Sequence, residues 1–161
     1  MPTMKMRFLL PLLLLAASLL AACSDSGSPV DPYLGSWVID IEKSFAKSQI
    51  NEDLKDKDPE FVRAEITGMS QVISLVVADS TITYSRGRHS KTLPFDVEAG
   101  EPGKLALAVY DDTQVVHWIL NLDEDGYLHL ESTRSRFTNY YVYIREELAE
   151  DVEYEQPVKG K

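Results

Sequence analysis

The sequence predicts an all-β domain, an eight-stranded up-and-down antiparallel barrel with a helical insertion between its first two strands. From Leu34 onward, short apolar runs are separated by turn residues at fairly even spacing, which is typical of meanders and barrels. The regular succession of strands and helices that indicates a parallel sheet is missing from the sequence. Residues 44–68 are the exception, because they lack alternation and are rich in Lys, Glu and Asp. This segment is the predicted insertion.

Eight candidate strands follow one another along the chain. In the first, Trp37, Ile39 and Ile41 occupy alternate positions, which places them on one face of a strand. The second covers residues 72–77, and the third passes through Ile82 and Tyr84. The other five candidates are residues 89–98, 103–110, 114–122, 127–134 and 138–146.

The alternation also predicts which side chains point into the barrel. Many of them are large, and eight strands leave an interior that is either packed solid or holds one small ligand. The sequence leaves both possibilities open. The predicted inward set is Ile39, Ile41, Ile82, Tyr84, Leu105, Leu107, Val109, Trp118, Leu120, Leu128, Leu130, Tyr141 and Tyr143.

The insertion is expected to contain two helices. Ser44 is a suitable N-cap for a first helix that reaches about Leu54. Asp58 is a suitable N-cap for a second, with Pro59 in its first turn. The second helix either ends at Gly68 or continues into the second strand. Its apolar residues are Phe61, Ala64, Ile66 and Met69.

The N-terminus predicts a signal peptide, residues 1–22. Lys5 and Arg7 form a short basic region, and an apolar run of 15 residues follows at 8–22. A permanent membrane-spanning helix needs about 20 apolar residues, so an anchor of that kind is the weaker interpretation.

The apolar run ends in Leu20-Ala21-Ala22-Cys23, which resembles the lipobox of bacterial lipoproteins. The resemblance implies cleavage before Cys23 and a lipid on that cysteine, which anchors the chain in the cell envelope. Cys23 is the single cysteine of the chain, so it has no intramolecular disulfide partner. Ser24 in place of an aspartate resembles the address for the outer membrane facing the periplasm, although Asp25 follows. The alternative is an ordinary secretory signal that ends near a cysteine by chance.

Removal of the signal peptide leaves 14 basic and 26 acidic residues, a net charge of about −12. This charge repels phosphate backbones and excludes nucleic acid as a partner. Membrane contact is therefore expected through the lipid alone. The 139 residues that remain suit one domain, expected to be a monomer, with a flexible tether at 23–33, a barrel at 34–147 and an acidic, partly disordered tail at 148–161.

Gly35-Ser36-Trp37, at the start of the first strand, resembles the Gly-x-Trp motif of lipocalins and the wider calycin group. In that group a basic side chain late in the barrel packs across the tryptophan, and Arg145 is placed for this role. A guanidinium over an indole contributes about 0.5–2 kcal/mol. The alternative makes Trp37 ordinary core and Arg145 a solvated strand end. The Thr-Asp-Tyr motif of larger lipocalins is missing, so the resemblance implies a small, divergent, lipocalin-like barrel.

In an up-and-down barrel the first, third, fifth and seventh connections share one end, which in calycins is the mouth of the ligand cavity. Two explanations for the basic residues of this rim stay open. They hold the anionic head of a small hydrophobic ligand such as a fatty acid, or they pair with acidic residues of the helical segment in a filled barrel that binds an envelope protein. The basic candidates are Arg86, Arg88, His89, Arg134 and Arg136, and the acidic ones are Glu52, Asp53, Asp56 and Asp58.

Catalytic, metal and cofactor sites are not predicted. His89, His117 and His129 lie on different candidate strands and lack a metal-binding spacing. Residues 123–126 resemble the start of a calcium loop but are too short, and a hairpin turn is expected there. Glycine loops for phosphate and the nucleophile elbow are also missing from the sequence. The chain is therefore expected to be a binding or interaction protein and not an enzyme.

Overall fold

The computed structural model describes residues 27–112, 114–133 and 139–149, in which eight antiparallel strands form a closed barrel. Each strand pairs with the next in sequence, and the last pairs with the first, with Trp37 opposite Arg145. The predicted eight-stranded antiparallel barrel is confirmed. The strands are β1 Gly35–Ile39, β2 Ile73–Val77, β3 Thr81–Arg86, β4 His89–Glu101, β5 Lys104–Asp111, β6 Gln114–Leu122, β7 Leu128–Ser132 and β8 Val142–Arg145.

Alternate residues of the strands form one continuous core inside the barrel. Leu105, Leu107 and Val109 on β5 are fully buried, and Leu120 and Leu128 on the following strands are fully buried as well. This pattern agrees with the two-residue period expected of strands with one face inward. The core is apolar except for its tyrosine hydroxyls and the indole N–H of Trp37.

The prediction was wrong at the end of the first strand. Ile41 was expected to point inward from a strand and Ser44 to cap the first helix, but β1 ends at Ile39 and helix α1 covers Ile41–Ile50. Asp40 is the N-cap, because its carboxylate accepts a hydrogen bond from the Lys43 backbone N–H at 2.8 Å. Ile41 therefore packs against the core from the first turn of a helix.

Ser44 has a different role from the predicted cap. Its side chain is fully buried, and its hydroxyl oxygen accepts a hydrogen bond from the Val142 backbone N–H at 2.8 Å. The Asp40 backbone N–H donates to the Val142 carbonyl, also at 2.8 Å. Asp40 and Ser44 thus provide hydrogen-bond partners for the backbone N–H and carbonyl of Val142, beyond the point where β1 ends.

Helix α2 covers Pro59–Ser70 and begins as predicted, because the Asp58 carboxylate accepts from the Glu60 backbone N–H at 3.0 Å. It extends two residues beyond Gly68 and ends before β2. Val62 and Ile66 on α2 are buried in the same core as the barrel interior.

An ion pair and a stacking contact join α1 to α2. Arg63 donates to both carboxylate oxygens of Glu42 at 2.6 and 2.8 Å, and its guanidinium lies 4.5 Å from the Phe45 ring centroid. Both partners of the ion pair are exposed, so it contributes little to stability.

Two later boundaries differ from the prediction. A turn was expected from residue 99, but β4 continues to Glu101 through a β-bulge between Val97 and Ala99. The last strand is shorter than predicted, and helix α3, Glu146–Ala149, follows it. The proposed tail beyond residue 149 lies outside the described residues.

The segment predicted as a flexible tether is partly structured. Val30 and Tyr33 are 2 % exposed, and a 3-10 turn covers Asp31–Tyr33. These apolar side chains pack into the core, which a solvated tether does not do. Cys23 and the predicted signal peptide lie outside the described residues. The described helices are all too short or too polar to cross a bilayer.

Candidate functional site

The closed topology determines which connections meet at each end of the barrel. Those that follow β1, β3, β5 and β7 share one end, because consecutive strands run in opposite directions. We call this end the rim. The opposite end carries the start of β1 and the end of β8.

The hairpin between β3 and β4 brings three of the predicted rim residues together. Arg86 is the last residue of β3 and pairs with His89, the first of β4, while Arg88 lies in the turn between them. All three side chains are exposed. Gly87 precedes Arg88 with a φ of 61°, a conformation that glycine adopts without strain. Arg134 and Arg136 lie outside the described residues.

The ion pairs at the rim differ from those expected between its basic residues and the acidic residues of the helical segment. Lys91 on β4 pairs with Asp111 and Asp112, which ties the β3–β4 hairpin to the β5–β6 connection. These two carboxylates raise the pKa of Lys91. In the described ranges, neither Arg86 nor Arg88 pairs with the four acidic residues proposed for them. The two arginines therefore face solvent with their charge available.

Four tyrosines lie near one another below this rim, three of them in or just before β8 and one on β3. Tyr84 is two residues from Arg86 on the same face of β3, and it is half-buried. Tyr140 and Tyr141 contact each other with ring centroids 4.5 Å apart, and the Tyr140 hydroxyl donates to that of Tyr141 at 3.3 Å. Tyr143 follows on β8. We call Tyr84, Tyr140, Tyr141 and Tyr143 the tyrosine cluster.

The hydroxyl of Tyr143 is buried without a hydrogen-bond partner. The side chain is fully buried inside the barrel, where Tyr143 pairs with Ile39 on β1 and with Leu128 on β7. Leaving a buried hydroxyl unpaired costs about 1–3 kcal/mol. Among the described residues, the Tyr33 hydroxyl at the opposite end is the other buried side-chain polar atom in this state. At such a group, a water or ligand oxygen would gain a hydrogen bond.

The tyrosine cluster is neutral across the physiological range. Burial raises the pKa of Tyr143, and the nearby Tyr84 and Tyr140 hydroxyls raise it further. Burial likewise raises the pKa of Tyr141, and the negative charge of Glu65 on α2 raises it further. These hydroxyls therefore act as neutral hydrogen-bond donors in an apolar wall.

The alternation in the sequence predicts that Tyr84, Tyr141 and Tyr143 point into the barrel, but it does not assign them to a site. The signal in the sequence is the run Tyr140-Tyr141-Val142-Tyr143, which is unusually rich in hydroxyls for a buried strand. Their convergence with Tyr84 depends on a strand that lies more than 50 residues earlier in the chain.

The opposite end brings together Gly35, Trp37 and Arg145. The Arg145 guanidinium lies 4.6 Å from the Trp37 ring, and its two terminal nitrogens donate to the carbonyls of Leu34 at 2.6 Å and Pro32 at 2.8 Å. The indole N–H donates to the Tyr33 carbonyl at 2.9 Å. Gly35 has a φ of 125°, and a Cβ there would lie 2.8 Å from the Arg145 guanidinium. These close contacts hold β1 and β8 together at this end of the barrel.

The histidines take part in surface networks. His117 contacts Glu98 at 2.9 Å, and His89 belongs to the rim. His129 on β7 contacts Asp123 through Nε2 at 3.1 Å and accepts from Lys47 on α1 through Nδ1 at 3.3 Å. Within the residues that the structure describes, His, Cys, Asp and Glu side chains form no group suited to a metal ion.

Two of these charged groups have shifted pKa values. Burial lowers the pKa of Lys47, which the charge of Glu131 partly offsets. Burial alone would raise the pKa of Asp123, but hydrogen bonds from His129 and from the Tyr127 backbone outweigh it and lower the pKa. The network thus links α1 to the β6–β7 hairpin on the outside of the barrel.

Comparisons with protein-family models, with curated protein sequences and with solved structures found no match.

Proposed function

We propose that this chain is a membrane-anchored envelope lipoprotein whose lipocalin-like barrel binds a small amphipathic ligand with an apolar body and an anionic head. The observation that carries the proposal is the buried, unpartnered hydroxyl of Tyr143 in the interior below Arg86. A packed core built only for stability favours an apolar side chain at such a position, because an unsatisfied hydroxyl is costly.

The rim supplies the charge for the anionic head. Arg86 and Arg88 carry positive charge on a strongly acidic chain, and neither is neutralised by the acidic residues of the helical segment. Charge-assisted hydrogen bonds from guanidinium groups hold carboxylates and phosphates well. Arg134 and Arg136 are further candidates on the connection that follows β7.

Helix α2 covers this site, while α1 contacts the β6–β7 hairpin on the outside of the barrel. Glu65 on α2 is close enough to Tyr140 and Tyr141 to raise their pKa values, so α2 lies beside the tyrosine cluster. Val62 and Ile66 extend the apolar core from the same helix. The Gly35, Trp37 and Arg145 contacts at the opposite end support the lipocalin type of the barrel.

Binding is tested with the mature chain, residues 23–161 with Cys23→Ser, which contains every described residue and needs no detergent. We expect saturable binding of a dansyl-labelled undecanoic acid, displaced by oleate. The double variant Arg86→Gln and Arg88→Gln is expected to bind at least about tenfold more weakly, since each lost charge-assisted bond is worth about 1.5–3 kcal/mol. Lys104→Gln, an exposed cation at the opposite end, is the matched control.

The alternative is a filled barrel that serves as a protein-interaction module. Native mass spectrometry of the protein after gentle purification separates the two functions. A recurrent amphiphile of constant added mass supports the carrier. The absence of saturable probe binding, together with a clean ligand-free mass, would contradict it and favour the module.

The anchor is tested separately in the full-length chain. The lipobox of Leu20 to Cys23 supports lipidation of Cys23 and attachment to the outer membrane facing the periplasm. Two or more acyl chains make such an anchor stable. Wild-type protein is expected in the detergent phase after phase partitioning and in the outer-membrane fraction, while Cys23→Ser loses lipid incorporation. A wild-type protein in the aqueous phase would overturn the anchor without affecting the binding site.

A further inference from the structure

We propose that the tyrosine cluster is an internal subsite for a neutral oxygen acceptor, so that the ligand is an anionic amphiphile with an oxygenated group, such as an ester carbonyl or hydroxyl, below its head. The inference rests on the proposed function and specifies its ligand class. Tyr143 supplies the donor, and Tyr84 and Tyr140 lie close to it.

The donor at this subsite is fixed in position. Tyr143 is fully buried between β1 and β7, and its hydroxyl has no acceptor among the described residues. Tyr140 already donates to Tyr141, so the Tyr143 hydroxyl is the group of this β8 run that lacks any partner. A ligand oxygen that accepts from it would replace an unsatisfied group with a hydrogen bond.

The charge around the cluster selects a neutral acceptor over an anion. Glu65 places a negative charge near Tyr140 and Tyr141, whereas the positive charge of Arg86 lies near Tyr84 at the rim. An anionic head in this buried position would face repulsion and lose its hydration without an ion-pair partner. The head therefore stays with Arg86, where the protein offers positive charge.

The strand geometry places the two polar groups of the ligand at different depths. Arg86 and Tyr84 lie on the same face of β3, two residues apart, which corresponds to about 7 Å along the strand. Tyr84 is close enough to Tyr143 to influence its pKa. A head at Arg86 and an acceptor at Tyr143 are thus separated by several ångströms, as are a phosphate and the ester of a single-chain phospholipid.

The test compares two probes with the same head and the same hydrocarbon chain. Oleoyl lysophosphatidic acid carries an ester and a hydroxyl below its phosphate, whereas oleyl phosphate carries neither. We expect the wild-type mature chain to prefer the first by about threefold to tenfold, the range for one additional hydrogen bond. In Tyr143→Phe this preference is expected to disappear. Tyr110→Phe, on the outer face of β5 where the hydroxyl donates to Asp96, is the control and should keep it.

A thermal melt of the ligand-free proteins shows whether the variant is folded. The melting temperature of Tyr143→Phe is not expected to fall, because the change removes only an unpaired hydroxyl. If both probes bind wild-type protein equally, or if Tyr143→Phe keeps the preference, the subsite is wrong while the proposed function stands. If neither probe binds wild-type protein, the subsite is overturned, and the proposed function is overturned as well when the dansyl-labelled undecanoic acid also fails to bind.

Discussion

Arg145 stacks on Trp37 and, from the same guanidinium, donates hydrogen bonds to the carbonyls of Leu34 and Pro32. The Arg145 side chain therefore joins β8 to Trp37 on β1. It also binds the segment that precedes β1. Lysine has the charge but lacks the planar fork that makes both hydrogen bonds possible.

Arg145→Lys is expected to lower the free energy of unfolding by about 1–2 kcal/mol, because the Leu34 carbonyl loses a charged donor at a partly buried site. Urea unfolding of the mature chain measures this loss. Arg63→Lys is the matched control, since Arg63 also stacks on a ring and binds a carboxylate, but at the exposed surface. It should change stability by less than about 0.5 kcal/mol. Equal losses in the two variants would contradict the structural role of Arg145.

Gly35→Ala and Gly68→Ala are expected to have opposite effects. At Gly35 a Cβ meets the Arg145 guanidinium at 2.8 Å and the φ is 125°, so we expect a loss of more than about 1 kcal/mol. At Gly68, on the exposed side of α2, a Cβ meets nothing within 4 Å. Alanine there should stabilise the helix by up to about 1 kcal/mol. Thermal melts of both variants check the signs, and a stabilised Gly35→Ala would refute the packing described at that end.

Ser44→Ala is expected to destabilise the protein by about 1–3 kcal/mol, because it leaves the buried Val142 backbone N–H without an acceptor. Ser48→Ala is the control. Ser48 is equally buried, but its hydroxyl donates to the Phe45 carbonyl within α1. Its loss therefore leaves no backbone N–H without an acceptor. Denaturant midpoints should rank Ser44→Ala clearly below Ser48→Ala. Hydrogen exchange at Val142 should also accelerate in the first variant only.

Alkaline titration is expected to unfold the protein as the buried tyrosines ionise. The folded-state pKa values of Tyr84, Tyr140, Tyr141 and Tyr143 are raised by burial above the unfolded value of about 10. Their contribution to stability is therefore complete below about pH 10 and is lost as the pH rises beyond it. Near-ultraviolet phenolate absorbance should lag behind that of the urea-denatured chain. Coincident titration curves for the folded and denatured protein would show that these hydroxyls are not buried.

The sequence predicted the barrel because alternation and turn spacing repeat over eight strands, and because closure then requires Trp37 to meet Arg145. It failed at Asp40, where Ile39-Asp40-Ile41 continues the alternation while the Asp40 carboxylate starts a helix. A local pattern cannot decide between these outcomes, since the cap and the bond to Val142 are made only in the folded protein. The tyrosine cluster was missed for the same reason. Its members are distant in sequence, and the unpaired state of Tyr143 is a property of the assembled interior.

The burial of Val30 and Tyr33 determines which end of the barrel would lie nearer a membrane that holds Cys23. These residues fasten the incoming chain to the end of the barrel opposite the rim, and the seven residues back to Cys23 span at most roughly 25 Å. If Cys23 carries the proposed lipid, the arginine-bearing rim faces away from the anchoring bilayer, toward the aqueous compartment. A ligand would then be exchanged with a donor or acceptor across that compartment and not drawn sideways from the leaflet that holds the protein.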